Sequence, residues 1–367
     1  MPRGFGVARC ELLTSRVHLE SVSPSASSLI GSRWPAVWLF GCCALIFAMI
    51  VLGGVTRLTE SGLSIVDWRP VSGVLPPMSE AAWRQAFVDY QQFPEYLANN
   101  YGMDLAAFKR IYWFEYAHRM LGRLIGLVFL IPFIGFLFAR VLPRPLILKL
   151  WTAFLLGALQ GGLGWYMVQS GLVSDPHVSQ YRLTAHLLLA MVIYGFLLWL
   201  AIDLVTAKAV RVAGARPGWI TVRWIAVVVL CTVASGGFVA GTHAGFVYNT
   251  FPMMNGEWWP AGILSLTPVW RNFFENVAAI QFVHRALALL AALSIVGFWL
   301  RILCCDDDRR TRAAAHILVG ALFIQLNLGI ATLLLRVPVW LGALHQAGAV
   351  MLFSAAIYAL YMRSHSD

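Results

Sequence analysis

The stretch FEYAHRMLGRLIGLVFLIPFIGFLF, Phe114–Phe138, decides the fold, because ionisable side chains crowd the start of a long run of hydrocarbon. Its first ten residues contain Glu115, His118, Arg119 and Arg123. Polar and ionisable groups inside a membrane are costly, and they usually mark a functional site. The stretch therefore predicts a membrane-spanning helix that carries such a site near one end.

The rest of the chain has the composition of a membrane protein. Its 367 residues are 59% hydrophobic and only 12% charged, whereas a soluble domain has about 25% charged residues. A membrane-spanning helix needs about 20 mostly apolar residues. Eight windows qualify: Trp34–Thr56, Trp113–Ala139, Leu148–Gln169, Arg182–Val205, Trp219–Gly241, Val277–Leu303, Ala313–Leu335 and Val339–Tyr361. The sequence therefore predicts an all-α integral membrane protein with eight transmembrane helices.

The basic residues indicate the orientation of these helices. Cytoplasmic loops carry an excess of Lys and Arg, and most of those outside the spans fall on the side that holds both termini. We therefore expect both termini in the cytoplasm and interpret the net charge of +10 as a topology signal, not as nucleic-acid binding. The first 33 residues contain Glu11 and Glu20, which a transit peptide would usually lack. A cytoplasmic tail is expected there, with a mitochondrial origin as the alternative.

Internal repeats divide the chain into two halves. Four pairs of motifs follow in the same order: GGVTRLTESG from Gly53 with GGFVAGTHAG from Gly236, EYAHRML from Glu115 with QFVHRAL from Gln281, QGGLG from Gln160 with QLNLG from Gln325, and AHLLLAMV from Ala185 with LHQAGAVM from Leu344. They predict two tandem four-helix bundles of parallel topology, 34–205 and 219–361. An outer loop at 57–112, a linker at 206–218 and cytoplasmic tails at 1–33 and 362–367 complete the expected organisation.

Each half places two histidines at matched depth, on its second and fourth helices. The pairs are His118 with His186, and His284 with His345. Buried, neutral, hydrogen-bonded histidines are one interpretation. Zinc would need three or four ligands at one centre, and a di-iron site would need several more carboxylates. Haem fits better, because helix bundles bind cofactors between facing helices and histidine is a usual axial ligand.

Charged neighbours of the histidines differ between the halves. Arg119 and Arg285 directly follow two of them and, with Arg57, are candidates to bind haem propionates; extension of the arginines to the headgroups is the alternative. Glu115 precedes His118 by three residues and shares its helix face. An ion pair of Glu115 with Arg119 is again the alternative. Gln281 occupies the equivalent position before His284. A carboxylate can transfer protons and an amide cannot, so we expect a reactive first haem and a fixed redox haem in the second half.

Four long motifs resemble those of the haem A synthase family. They are GGVTRLTESGLSI (Gly53–Ile65), EYAHRMLGR (Glu115–Arg123), QGGLGWYMVQSGL (Gln160–Leu172) and AGTHAGFVYNTFPMMNG (Ala240–Gly256). The resemblance extends over all eight predicted helices, roughly Arg33 to Arg363. Some members of the family carry a cysteine pair in the first outer loop, which is absent from residues 57–112 of this sequence. The chain therefore resembles the branch without that pair.

The resemblance implies an activity and roles for the residues. Members oxidise a ring methyl of haem O to a formyl group by successive hydroxylations, and the product, haem A, serves cytochrome oxidase. They act after haem O synthase, in the bacterial plasma membrane or the mitochondrial inner membrane. By position, His118 and His186 would flank the substrate haem, His284 and His345 would bind haem B, and Glu115 would be the catalytic carboxylate. Haem O synthase, cytochrome oxidase assembly factors and a second copy of the chain are possible partners.

The outer loop has a pattern of its own. Trp83, Phe87 and Tyr90 have the spacing of an amphipathic helix, Ser79 is a candidate N-cap, and Asp104 a candidate cap of another short helix. We expect a lid that excludes water from the first site, with a partner-docking surface as the alternative.

A second class of function fits the same histidine pairs. A di-haem electron carrier or haem-delivery protein would also use paired histidines in a duplicated bundle, without chemistry on the porphyrin. The first half has Glu115 where the second half has Gln281, and this difference favours the enzyme. The haem content of the purified protein distinguishes the two.

Overall fold

The computed structural model describes residues 33–66, 73–173, 178–206, 219–304 and 308–364. The predicted N-terminal tail up to residue 32 and the linker from 207 to 218 lie outside these ranges. Within them, eight helices are long and apolar enough to cross a membrane, which confirms the predicted all-α membrane class. In chain order the helices are α1 Arg33–Leu58, α2 Glu80–Tyr90, α3 Pro94–Asn99, α4 Leu105–Phe138, α5 Arg144–Val173, α6 Gln180–Thr206, α7 Trp219–Gly241, α8 Asn272–Glu275, α9 Val277–Cys304, α10 Arg309–Leu334 and α11 Val339–Ser364; α2, α3 and α8 are the short ones.

Contacts among the long helices follow the two halves of the sequence. In the first half α1 contacts α4 and α6, and α5 contacts the same two helices. In the second half α7 contacts α9 and α11, and α10 contacts these two in the same way. Between the halves, α1 packs on α11, and α6 packs on both α7 and α11. These contacts favour the tandem arrangement of units 34–205 and 219–361, which stays a prediction.

Polar side chains fix the register of the helices where the halves meet. The Gln346 amide of α11 donates to the carbonyl of Ile50 in α1 at 2.7 Å, and Tyr194 and Ser354 join their hydroxyls across α6 and α11 at 2.8 Å. A polar group in hydrocarbon is costly unless it is hydrogen-bonded. A slip between the halves would leave these groups without partners.

Two glycines let α6 and α7 approach closely. Gly237 and Gly241 are four residues apart and face Thr184 and Gln180 of α6. A methyl group on Gly241 would lie 2.5 Å from Cβ and 2.8 Å from Cα of Gln180. Small residues four apart allow such close backbone contact between membrane helices. The contact holds the outer ends of the two halves together.

We predict that Gly241→Val destabilises the protein, by about 1–3 kcal/mol as for other overpacked sites, because the two backbones must separate. Melting temperature in detergent measures the effect. Gly126→Val is the matched control, since a methyl group there meets no atom within 4 Å. Equal melting temperatures for the two variants would contradict the close contact.

The second membrane helix starts earlier than the sequence pattern predicts. It begins at Leu105 rather than Trp113, and the Asp104 carboxylate accepts a hydrogen bond from Ala107 N at 2.7 Å. Asp104 therefore caps the membrane helix itself and not a separate short helix. The added turns are stable outside the hydrocarbon because Phe108 and Tyr112 are buried beneath the outer loop.

The outer loop contains the expected amphipathic helix. Ser79 caps α2, its hydroxyl accepting from Ala82 N at 3.1 Å. Trp83 and Tyr90 then pack against Phe108 of α4, with ring centroids 6.5 and 5.2 Å away. Helix α2 lies on α4, and α3 lies on α5. The loop thus rests on two helices of the first half, which supports the lid hypothesis.

A carboxyl group is buried within this loop. Glu95, at the start of α3, is only 4% exposed. The Tyr90 hydroxyl donates to it at 3.2 Å, and the Asn100 amide donates to that hydroxyl at 2.7 Å. Burial raises the pKa of Glu95 to about 8, and the negative charge of Glu115 adds to the rise. The folded loop therefore holds a proton at neutral pH that the unfolded loop would release.

We predict that the loop becomes less stable as the pH rises from about 4.5 to about 8. Over this range the unfolded loop binds fewer protons than the folded loop, so each rise in pH favours unfolding. Glu95→Gln should remove most of that slope and slow hydrogen exchange of α2 and α3 at the upper end of the range. Exchange rates corrected for intrinsic chemistry measure it.

Glu80→Gln is the matched control. Glu80 is an exposed acid at the start of α2, and its hydrogen bond with Lys109 lowers its pKa. Its replacement should leave the slope above pH 4.5 unchanged. An unchanged slope in Glu95→Gln would mean that Glu95 does not hold the proton.

Candidate functional site

The structure brings the two histidines of the second half together. The ring centroids of His284 on α9 and His345 on α11 are 6.5 Å apart, and the rings are close to perpendicular. Imidazole nitrogens bind first-row metals at about 2 Å. Two rings on opposite faces of one metal therefore have centroids about 6 Å apart, which the observed separation fits.

Hydrogen bonds select which ring nitrogen is available. The Ser235 hydroxyl donates to the Thr232 carbonyl at 2.8 Å, so its oxygen accepts from Nδ1–H of His284, also at 2.8 Å. This network assigns the proton to Nδ1 and leaves the Nε2 lone pair free. The amide nitrogen of Gln325 lies 3.1 Å from Nδ1 of His345, and because that nitrogen only donates, Nδ1 accepts this hydrogen bond. Exchanging the nitrogen and oxygen of the Gln325 amide would make Nδ1–H the donor and free Nε2, as in His284. Within the described residues, neither Nε2 atom has a hydrogen-bond partner.

Each of the four histidine rings lies against a glycine of another helix. A methyl group on Gly236 would be 3.3 Å from Cε1 of His284, and one on Gly329 would be 2.8 Å from Cε1 of His345. In the first half, a methyl group on Gly53 would be 3.2 Å from Nε2 of His118, and one on Gly164 would be 3.0 Å from Cε1 of His186. A side chain at any of these glycines would push the ring out of its position.

The first half repeats the arrangement with one difference. The Gln160 amide, equivalent to Gln325, donates to the His186 carbonyl at 3.0 Å and lies 3.2 Å from Nε2 of its ring. The Nδ1 atom of His186 is buried without a partner. The second half therefore fits a haem bound between two imidazoles, and the first half repeats its glycine contacts and a glutamine contact with one ring.

Glu115 is buried and fully hydrogen-bonded. One carboxylate oxygen accepts from the Ser64 hydroxyl and from Ile65 N, both at 2.8 Å. The other accepts from Arg119 at 2.6 and 3.0 Å. Arg119 also donates to the Ile65 carbonyl at 2.7 Å. The predicted Glu115–Arg119 ion pair thus exists, and it fastens the segment that follows α1 to the start of α4.

Gln281 occupies the same place in the second half. Its amide donates to the Ala244 carbonyl at 2.9 Å and accepts from Arg285 at 2.9 Å. Arg285 donates in turn to the carbonyls of Tyr248 and Pro252. A neutral amide therefore fastens the equivalent segment to α9. Fastening the loop does not require a carboxylate, which leaves the negative charge of Glu115 without a purely structural explanation.

The three arginines proposed for propionates all bind protein groups. Arg119 and Arg285 hold the loops, as described above. Arg57 donates to the carbonyls of Ala240 and Gly241 at the end of α7 and lies 2.8 Å from Nε2 of His243. A cation is favourable at a helix C-terminus, so Arg57 joins the first half to the second. The propionate assignment of all three stays a prediction.

Sequence reasoning missed the residues that position the histidines. Gln160, Gln325 and the four glycines were visible only as parts of the repeated motifs GG and QxxLG, and Ser235 lies directly before the second GG. Their spacing from the histidines along the chain carries no signal, because each contacts a ring on a different helix. The coincidence of Gly and Gln at the same positions of both repeats was the available indication.

Comparison with known proteins identifies the family of the chain. The sequence profile of the cytochrome oxidase assembly protein family COX15-CtaA matches residues 36–357. The haem A synthase of Nitrosospira multiformis is 51% identical over 325 residues, covering 88% of this chain and 91% of that protein. That of Nitrosomonas eutropha is 49% identical over 330 residues, covering 88% and 92%.

A plant protein extends the similarity beyond bacteria. The Arabidopsis thaliana protein named heme A synthase COX15 is 45% identical over 334 residues, covering 88% of this chain and 73% of its own length. The matched regions contain all eight membrane helices and both histidine pairs. The chain belongs to the COX15-CtaA family of cytochrome oxidase assembly proteins, with the haem A synthases.

Proposed function

We propose that this membrane protein is a haem A synthase, an oxidoreductase that converts a methyl group of haem O to a formyl group by successive hydroxylations. The observation that carries the proposal is the duplicated pair of glycine-packed histidines, with a buried carboxylate in only one copy. Family membership supplies the reaction. The conversion removes electrons and protons from one carbon, so the protein needs an electron route and a proton acceptor.

The first half is the proposed substrate site. His118 and His186 flank the iron of haem O, and Gly53 and Gly164 leave room for their rings. The lid formed by α2 and α3 covers the end of α4 and α5 nearest these histidines. Exclusion of water protects reactive species from side reactions. The lid therefore belongs to the site as a cover and not as a source of catalytic groups.

The second half is the proposed site of haem B, which His284 and His345 would bind through their imidazole rings. Bound there, haem B supplies one-electron redox chemistry. Ser235 and Gln325 hold Nδ1 of the two rings, and such partners fix ring orientation and tune the metal. Gln281 replaces the carboxylate of the first half, so this site has no equivalent group to exchange protons.

Glu115 is the proposed proton-transferring residue. It is 3% exposed and stands one helical turn before His118, on the same face of α4. Four hydrogen bonds from Ser64, Ile65 and Arg119 hold the carboxylate in place. Arg119 and Ser64 then act as positioning residues, since they contact the carboxylate.

The surroundings of the protein follow from the same proposal. The protein is a multi-pass membrane protein, and we place it in a bacterial plasma membrane with both termini in the cytoplasm. Haem O synthase would supply the substrate, and cytochrome oxidase assembly would consume the product. A mitochondrial inner membrane is the alternative location.

We predict that Glu115→Gln retains bound haem but converts haem O at least about 100-fold more slowly, the usual scale for loss of a proton-transferring group. Haem O should accumulate in cells that express the variant. The loop should remain fastened, because glutamine does so at the equivalent position in the second half. Turnover and extracted haems measure the outcome.

Ser64→Ala is the matched control. It removes one hydrogen bond to the same carboxylate but keeps the negative charge. It should retain most of the activity. Wild-type turnover in Glu115→Gln would remove the residue from the chemistry, and equal losses in the two variants would reduce its role to holding the loop.

A further inference from the structure

An apolar groove lies between the halves, at the end of the molecule where α1 and α10 begin and α6 and α11 end. Its volume is about 570 Å³, within the range of about 300–1,000 Å³ that ligand sites span. Phe40 of α1 and Ile317 of α10 form two of its walls, and Leu198 of α6 and Ala355 of α11 also line it. Phe40, Ile317 and Met351 are 39%, 53% and 58% exposed, so the groove opens toward the hydrocarbon of the bilayer.

Two of the three hydroxyl groups that line the groove, those of Tyr194 and Ser354, are already hydrogen-bonded, and the third belongs to Tyr358. The Ser354 hydroxyl donates to the Val350 carbonyl at 2.7 Å, and its oxygen accepts from the Tyr194 hydroxyl at 2.8 Å. These two polar lining groups are therefore satisfied by the protein. A molecule with a polar ring would find no hydrogen bonds from them, whereas a hydrocarbon chain needs none.

Cations stand above both walls of the groove. Arg33 precedes Phe40 on α1 by seven residues, and Arg310 precedes Ile317 on α10 by seven. Seven residues are two turns, so each arginine lies on the same face as the wall residue and about 10 Å nearer the membrane surface. Both arginines are exposed. An apolar groove with two cations beyond its end suits a ligand that has a hydrocarbon chain and an anionic headgroup.

We propose that the groove binds an anionic phospholipid of the bilayer, with its acyl chain against Phe40 and Ile317 and its phosphate between Arg33 and Arg310. Basic pockets between transmembrane helices on the cytoplasmic side bind such headgroups. The lipid would bridge α1 of the first half and α10 of the second. The site lies far from the histidines, since Ser354 follows His345 by nine residues, about 13 Å along α11.

The test measures lipid selectivity of the purified, delipidated full-length protein. Phosphatidylglycerol and phosphatidylcholine with identical acyl chains are titrated separately, and bound lipid is counted by native mass spectrometry. We expect tighter binding of phosphatidylglycerol by about five-fold or more for each arginine. The double variant Arg33→Gln/Arg310→Gln should lose this preference.

Two further variants separate the groove from general surface charge. Arg144→Gln/Lys149→Gln removes two exposed cations from the same end of the molecule, away from the groove, and should keep the preference. Ala321→Phe fills the groove and should weaken binding of both lipids.

Any one of the following results would overturn the proposal. The first is equal binding of the two lipids by the wild-type protein. The second is an equal loss of preference in the two charge variants, or unchanged binding in Ala321→Phe. The third is displacement of phosphatidylglycerol by equimolar ubiquinone or haem O in the wild type but not in Ala321→Phe, which would assign the groove to that molecule.

Discussion

The structure depends on satisfying imidazole rings inside hydrocarbon. A buried polar ring needs hydrogen-bond partners, and a metal-binding ring must leave one nitrogen free. In the second half, the Ser235 oxygen accepts from Nδ1 of His284 and leaves its Nε2 free, and Gln325 contacts Nδ1 of His345, while glycines of neighbouring helices make room for both rings. The helices that carry the histidines are thereby fixed against those that carry the glycines. The same contacts therefore position the histidines and determine how these helices pack.

The histidine–glycine contacts occur in both halves, and Glu115 is replaced by Gln281 in the second half. Arg119 with Glu115 and Arg285 with Gln281 fasten equivalent loops through equivalent hydrogen bonds. The histidine–glycine contacts and the fastened segments are alike, whereas only the first half has the carboxylate of Glu115 and the lid of α2 and α3. We assign the difference in proton transfer between the halves to Glu115. Arg57 and Gln346 join the halves, so the two sites keep a fixed relation.

The sequence predicts much of this because hydrophobic runs and repeats are local patterns. The eight spans, the Ser79 cap and the amphipathic α2 were all predictable, and the histidine pairs were visible from the repeat. The predicted start of α4 was eight residues too late, because burial of Phe108 and Tyr112 under the loop extends the helix beyond the apolar run. The partners of the rings, the burial of Glu95 and the carbonyls bound by Arg57 arise between helices distant in sequence. No spacing along the chain reveals them.

The haem content of the purified protein tests the account most directly. Pigments extracted from wild-type protein, made in cells that produce haem O, should contain haem B together with haem O or haem A. The His284→Ala variant should lose haem B and keep the substrate pigment. Haem B alone in both sites would contradict the account and indicate an electron carrier or haem-delivery protein. A complete bis-histidine spectrum in His284→Ala would contradict the assignment of the second site.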